Sequence, residues 1–236
     1  MKKAHYVAAA LALAMLTPAC AAAQQIAVSV NDGKQTRPGE APSTRTDDYV
    51  SVLDISGRTP RVIGAVAAPT SMIGPPTSVA VASDESFAIV TSAQAIEGGV
   101  LVKNDQVSLI DLSNPASPRV AQTIQGGSGA TGVAINRART LALVANTGDD
   151  SISIFTIANN QLTPAGRVRL DYQSRPTDVT FSPDGTFALA VQQAGNRIVR
   201  LNVSGSTVTR SDASYAPGLQ PYGVVVSRDG RYAFNT

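Results

Sequence analysis

The chain has no tryptophan, and its single histidine and single cysteine, His5 and Cys20, both lie in the first 20 residues. Residues 24–236 therefore contain neither imidazole nor thiol. Their chemistry excludes Ser-His-Asp catalysis, a cysteine nucleophile, disulfides, and zinc or haem held by the usual ligand sets. No cofactor and no metal is expected. Glutamate is scarce as well, with only Glu40, Glu85 and Glu97. Excess charge of one sign is also missing. The 236 residues carry 19 Lys+Arg and 17 Asp+Glu, and two of the basic residues are Lys2 and Lys3. Beyond them the charges balance, which argues against a phosphate-backbone binder, so no nucleic-acid partner is expected.

The longest apolar run is Val7 to Leu16, ten residues, where a bilayer-spanning helix needs roughly 20. With Lys2 and Lys3 ahead of it, Pro18 behind it and Ala21-Ala22-Ala23 as an A-x-A site, it predicts a signal peptide over 1–23. Cys20 lacks the branched apolar residue three positions earlier that bacterial lipidation favours. The mature protein is expected in the periplasm or secreted, cleaved near Ala23, with no transmembrane segment. Without disulfides it must stand on core burial, which a chain of about 210 residues can supply.

What is present is repetition. A phrase of the form D-x-V-S-φ-φ runs through Asp48-Tyr49-Val50-Ser51-Val52-Leu53, Asp105-Gln106-Val107-Ser108-Leu109-Ile110 and Asp150-Ser151-Ile152-Ser153-Ile154-Phe155. A weaker copy starts at Asn196, and the intervals between Val50, Val107, Ile152 and Ile198 are 57, 45 and 46 residues. A second phrase precedes it: a strand, a turn and another strand. Pro176-Thr177-Asp178-Val179-Thr180-Phe181 passes through Ser182-Pro183-Asp184-Gly185 to Phe187-Ala188-Leu189-Ala190-Val191. Pro221 to Val226 passes through Ser227-Arg228-Asp229-Gly230 to Tyr232-Ala233-Phe234. Glycine at the end of such a turn supplies the positive φ of a tight reversal.

Each unit reads as four short strands rich in Val, Ile and Thr; in one they are 77–82, 87–92, 106–112 and 119–124. No helical periodicity appears after the leader. Four strands per 40 to 50 residues in tandem predict an all-β protein, a β-propeller of four-stranded antiparallel blades. A two-sheet sandwich has similar strands but does not repeat one four-strand phrase at a fixed period. The expected divisions are a partial blade 26–66, blades of about 77–125, 131–170 and 177–214, and an incomplete blade 221–236.

The Ser-Pro-Asp-Gly-x-φ-Ala-φ phrase followed by x-V-S-φ-φ-Asp-φ resembles YVTN-type β-propeller repeats of bacterial exported proteins, which are related to lactonase-like propellers. The likeness covers nearly all of 26–236. The strand that names the family is imperfect, with Phe87-Ala88-Ile89-Val90-Thr91 and Leu143-Val144-Ala145-Asn146 as its nearest forms. The resemblance implies about seven blades, so four to five of a probable seven are expected here, with the chain truncated at its C-terminus inside a strand. It also implies that lactonase chemistry is an alternative, with catalytic residues partly in missing blades.

Candidate site residues follow from the repeat. Loops that lead into each innermost strand share one face of the disc, at the mouth of the central channel. They are 73–76, 127–129, 173–176 and 219–222. Arg175, Gln220, Tyr222 and Ser128 are the side chains there suited to an anionic or planar ligand. Ala93 to Asn104 is expected to be a lengthened loop and a partner contact. Asp54 and Asp111 recur at one position and are expected to make a stabilising hydrogen bond in each blade. Asp149-Asp150 reads as a turn rather than a calcium loop. Gly126-Gly127-Ser128-Gly129 lacks the lysine and following helix of a phosphate loop. The leading expectation is a non-enzymatic exported propeller that binds a macromolecule or small ligand at this mouth.

Overall fold

The computed structural model describes residues 25–34, 47–70 and 77–236. The expected signal peptide and the loop 73–76 lie outside them. Every element among the described residues is a β-strand. β1 (Ile26–Asn31), β2 (Tyr49–Asp54) and β3 (Arg61–Ala67) form a three-stranded antiparallel sheet. Three four-stranded meanders follow. The first is β4 (Val79–Val81), β5 (Phe87–Glu97), β6 (Val100–Asp111) and β7 (Arg119–Gln125). The second is β8 (Ala130–Ile135), β9 (Leu141–Asn146), β10 (Ser151–Ala158) and β11 (Gln161–Arg169). The third is β12 (Pro176–Phe181), β13 (Phe187–Gln192), β14 (Arg197–Ser204) and β15 (Thr207–Tyr215). β16 (Val224–Val226) and β17 (Ala233–Asn235) pair as a fifth sheet. In chain order these are blades 1 to 5.

The blades stack because their central strands are apolar on both faces. Val107 and Leu109 of β6 join Ala142, Val144 and Phe155 in the core between blades 2 and 3. Ile110 and Leu112 of the same segment face the other way, onto Val50 and Val52 of blade 1. Leu141, Leu143, Ile152 and Ile154 meet Ala188, Ala190, Val199 and Leu201 between blades 3 and 4. Burying a large aliphatic side chain in such a layer stabilises by about 1.5–3 kcal/mol, so consecutive blades hold each other. The innermost strands β4, β8, β12 and β16 touch in that order and make the hub.

Threonines tie the hub strands across one repeat length. The Thr131 hydroxyl donates to the Thr177 carbonyl at 3.3 Å, and the Thr177 hydroxyl donates to the Tyr222 carbonyl at 2.7 Å. Asp54 and Asp111 end β2 and β6 and cap the turns that follow. Hydrogen bonds from the Ser56 hydroxyl and N–H, then from Arg61, hold Asp54 down at about 2. Asp111 is lowered by the Ser113 N–H and by Arg119, whose Nε lies 2.9 Å from the carboxylate.

Two ends of the disc follow from the meander. Among the described residues, the upper end carries the β5–β6, β9–β10 and β13–β14 connections together with the loops from β7 to β8, β11 to β12 and β15 to β16. The lower end carries the turns between first and second strands and between third and fourth. One expectation is corrected here. Residues 93–104 are not a loop but the outer half of a hairpin in which β5 and β6 continue pairing from Gln94–Lys103 to Glu97–Val100. Gly98 and Gly99, at φ 55° and 82°, supply the two left-handed residues that this turn type requires. The alternation of the flanking residues then lets the strands extend.

Candidate functional site

The upper loops are built on the first residue of the repeated D-x-V-S phrase. Asp105, Asp150 and Asn196 all have left-handed backbone, at φ 53°, 53° and 52°. Each accepts hydrogen bonds from the loop that leads into the next hub strand. Asp105 takes the Gly129 N–H at 2.6 Å, Asp150 the N–H groups of Gln173 and Arg175 at 2.7 and 3.0 Å, and Asn196 the Gln220 N–H at 2.7 Å. Asp48 does the same in blade 1, accepting from the Thr70 and Gly33 N–H groups, both at 3.1 Å. Sequence reasoning set this residue into the repeat but gave it no task.

These bonds position the sequence-predicted residues. Arg175 and Gln220 stand at equivalent places, each before a proline, with φ 49° and 50°. The corresponding residue of blade 3 is Gly129, at φ 73°. The Arg175 and Gln220 side chains are exposed. Ser128 is knitted to the two blades it joins: its N–H donates to Asp149 at 3.3 Å, its carbonyl accepts from the Gly148 N–H, and its hydroxyl lies 3.4 Å from the Lys103 amine. Tyr222 lines a hub cavity of about 290 Å³ with Thr77, Asp178 and Val224. Ser128, Arg175 and Gln220 are not among its walls, so the structure gathers the four residues on one face but not around one cavity. Asp149 and Asp150 serve as turn caps, and Asp149 also pairs with Arg167 at 2.6 Å.

The residue that sequence reasoning missed is Asp178. It is 2% exposed and sits in the hub, where equivalent positions of the neighbouring blades hold Gly132 and Gly223. Its carboxylate accepts the N–H of Val224, one blade on, at 2.8 Å, and its own neighbour Val179 at 2.9 Å. Burial pushes its pKa up to about 6, while these two hydrogen bonds pull it down. The Thr77 hydroxyl adds the weakest pull and makes no hydrogen bond of standard geometry. A Cβ on Gly132 would lie 2.5 Å from the Thr177 carbonyl and 2.7 Å from the Asp178 Cα, so the glycine is what admits Asp178 to the hub. The available signal was a charged residue where the other blades carry small ones.

A second upper cavity, about 690 Å³, lies between blade 1 and the β5–β6 hairpin. Lys34 lines it but is 7% exposed, with its amine bonded to Asp48, to the Thr70 carbonyl at 3.1 Å and to Asp32 at 3.1 Å. Asp47 and Asp48 share the lining, so this cavity holds more negative than positive charge. Among the described residues no group of three or more His, Cys, Asp or Glu is placed to hold a metal ion.

Radially stacked four-stranded sheets around a shared hub define a β-propeller. The family described as "Lactonase, 7-bladed beta-propeller" matches residues 104–225, more than half of the sequence, and the chain belongs to it. No curated protein sequence matches. Among solved structures, a functionally unknown protein from Desulfotomaculum acetoxidans superposes with a TM-score of 0.65 at 22% identity, over 80% of this chain and 56% of that one. The periplasmic gluconolactonase of Pseudomonas aeruginosa gives 0.65 at 19%, over 90% and 62%. Hydrazine synthase of Kuenenia stuttgartiensis gives 0.53 at 19%, over 71% and 43%. These likenesses carry the fold, and the chain spans less than two thirds of the length of each.

Proposed function

We propose that the chain belongs to an exported, non-enzymatic propeller that binds a macromolecular partner or a small ligand at the upper mouth of the hub, through Arg175, Gln220, Tyr222 and Ser128. The observation that carries this reading is the backbone of Arg175 and Gln220. A left-handed residue other than glycine costs about 1–2 kcal/mol, and the position before a proline is restricted further. Blade 3 meets the same requirement with Gly129. Blades 4 and 5 instead keep an arginine and a glutamine whose exposed side chains make no hydrogen bond or ion pair with any described residue, which suits groups that serve a ligand. Asp48, Asp105 and Asp150 on this face are engaged as acceptors of main-chain N–H groups. Partner capture with the purified protein tests the reading, with Arg175→Gly and Gln220→Gly as probes. Loss of binding in folded variants is expected, and unchanged binding sinks it. Cell fractionation tests export.

Lactone hydrolysis is the second reading. Its support is the family and one feature of the site, the Asp178 carboxyl at about 6 in a hub cavity, a value suited to a general base near neutral pH. Turnover of a lactone panel that disappears in Asp178→Asn, with the fold intact, favours it over pure binding.

A further inference from the structure

The lower end of the hub carries a separate cavity of about 590 Å³, in the size range of small-molecule sites. Four of its walls come from one position of the repeat, the second residue of the turn between first and second strands: Ser83, Arg137, Pro183 and Arg228. Its floor is apolar and half-buried, with Ile135 and Phe181 the largest groups. No carboxylate lines it. The neighbouring acids are engaged. Asp84 pairs with Arg139, Asp229 accepts from Ser227 and Arg231, and Asp184 accepts from Ser182 and Thr186. Arg137 and Arg228 make no side-chain hydrogen bond or ion pair with any described residue, whereas Arg61, Arg119, Arg139, Arg167 and Arg210 each hold an aspartate.

The geometry points to a second binding site here, for a small organic anion: a carboxylate or phosphate held by Arg137 and Arg228, on an apolar body that lies over Ile135 and Phe181. A guanidinium presents paired N–H donors to a planar or tetrahedral oxyanion, and two of them flanking one apolar mouth give both charge and orientation. This site differs in sign from the upper cavity beside Lys34, where aspartates predominate.

Calorimetric titration of the purified full-length protein with phenyl phosphate and with benzoate tests the assignment, with benzyl alcohol as the neutral counterpart. Saturable binding of the anions alone is expected, about tenfold weaker for Arg137→Gln and for Arg228→Gln, and unchanged for Arg58→Gln. Phenylglyoxal mapping by peptide mass gives a readout that needs no variant: bound phenyl phosphate should protect Arg137 and Arg228 and leave Arg58 reactive. Absence of saturable binding overturns the assignment. So does binding indifferent to both substitutions, uniform arginine protection, or inorganic phosphate binding as tightly as phenyl phosphate, since the last leaves the apolar floor without a role.

Discussion

The two ends of the hub are made from the same repeat and solve the same problem differently. At the lower end, blades 2 to 5 reverse through a tight turn whose fourth residue is left-handed: Glu85, Arg139, Gly185 and Gly230, at φ 61°, 60°, 71° and 71°. At the upper end a longer loop enters the next blade, and an Asp or Asn of the preceding turn holds its backbone. The lower turns close mostly through short-range bonds, linked across blades by the Asp84–Arg139 pair and by the Ser83 hydroxyl on the Arg137 carbonyl, and at their second position two of the four carry arginine. The upper loops depend on a partner from another part of the blade, so their acids are occupied. Charge left over for a ligand is therefore positive below, and above it rests on Arg175 and on whatever Asp178 does.

The largest effect expected from breaking this arrangement lies between the two ends. Gly132→Val forces a side chain into the Thr177 carbonyl and Asp178, and should lower stability by at least about 2–3 kcal/mol, read as a loss in the urea midpoint. Binding at both ends should weaken together, since the hub strands carry both.

Next is the titration of Asp178. Its pKa rises from 3.8 to about 6 on folding, so the folded state holds the proton more tightly than the unfolded chain. The stability this group contributes is present below about pH 4 and is lost as the pH climbs through about 6, a swing on the order of 2–3 kcal/mol. Urea unfolding across that window should show the slope in the native protein and not in Asp178→Asn. An identical slope in both would assign it elsewhere.

Asp150→Ala removes the acceptor for the Gln173 and Arg175 N–H groups and should destabilise by about 1–2 kcal/mol, with faster amide exchange in residues 171–175. Lower-end turns should keep their native exchange rates in the same protein.

The smallest effect separates structure from service. Arg175→Gly and Gln220→Gly relieve left-handed backbone and should raise stability by about 0.5–1 kcal/mol while weakening upper-face binding. Glu85→Gly relieves the same conformation at the lower end, and its thermal shift should come without a change in upper-face binding.

Much of this architecture is legible in the sequence. Val107, Leu109, Ile110 and Leu112 gave away a strand covered on both sides, because a run without polar alternation has no solvent face. Ser182-Pro183-Asp184-Gly185 gave away a reversal, because each residue type has a local reason to be there. Residues 93–104 misled because Gly98-Gly99 and a few charges look like a loop, while the pairing that makes them a hairpin runs between strands. The site was less accessible. Arg175 and Gln220 read as loop side chains, but their shared strain and shared caps depend on φ angles and on Asp150 and Asn196. Asp178 looks like one more strand residue in Pro176-Thr177-Asp178-Val179, and Arg137 like one more turn residue, because nothing local distinguishes either.

The repeat, the strand order, the two-sided apolar layers and the turns are written into the chain, since each depends on residues within one repeat length of each other. Folding is what brings Asp178 against Gly132 and Val224, strains the backbone of Arg175 and Gln220, and sets Arg137 and Arg228 around one cavity. Those groups lie about one or two repeats apart along the chain, and they become neighbours only when the blades close in around the hub.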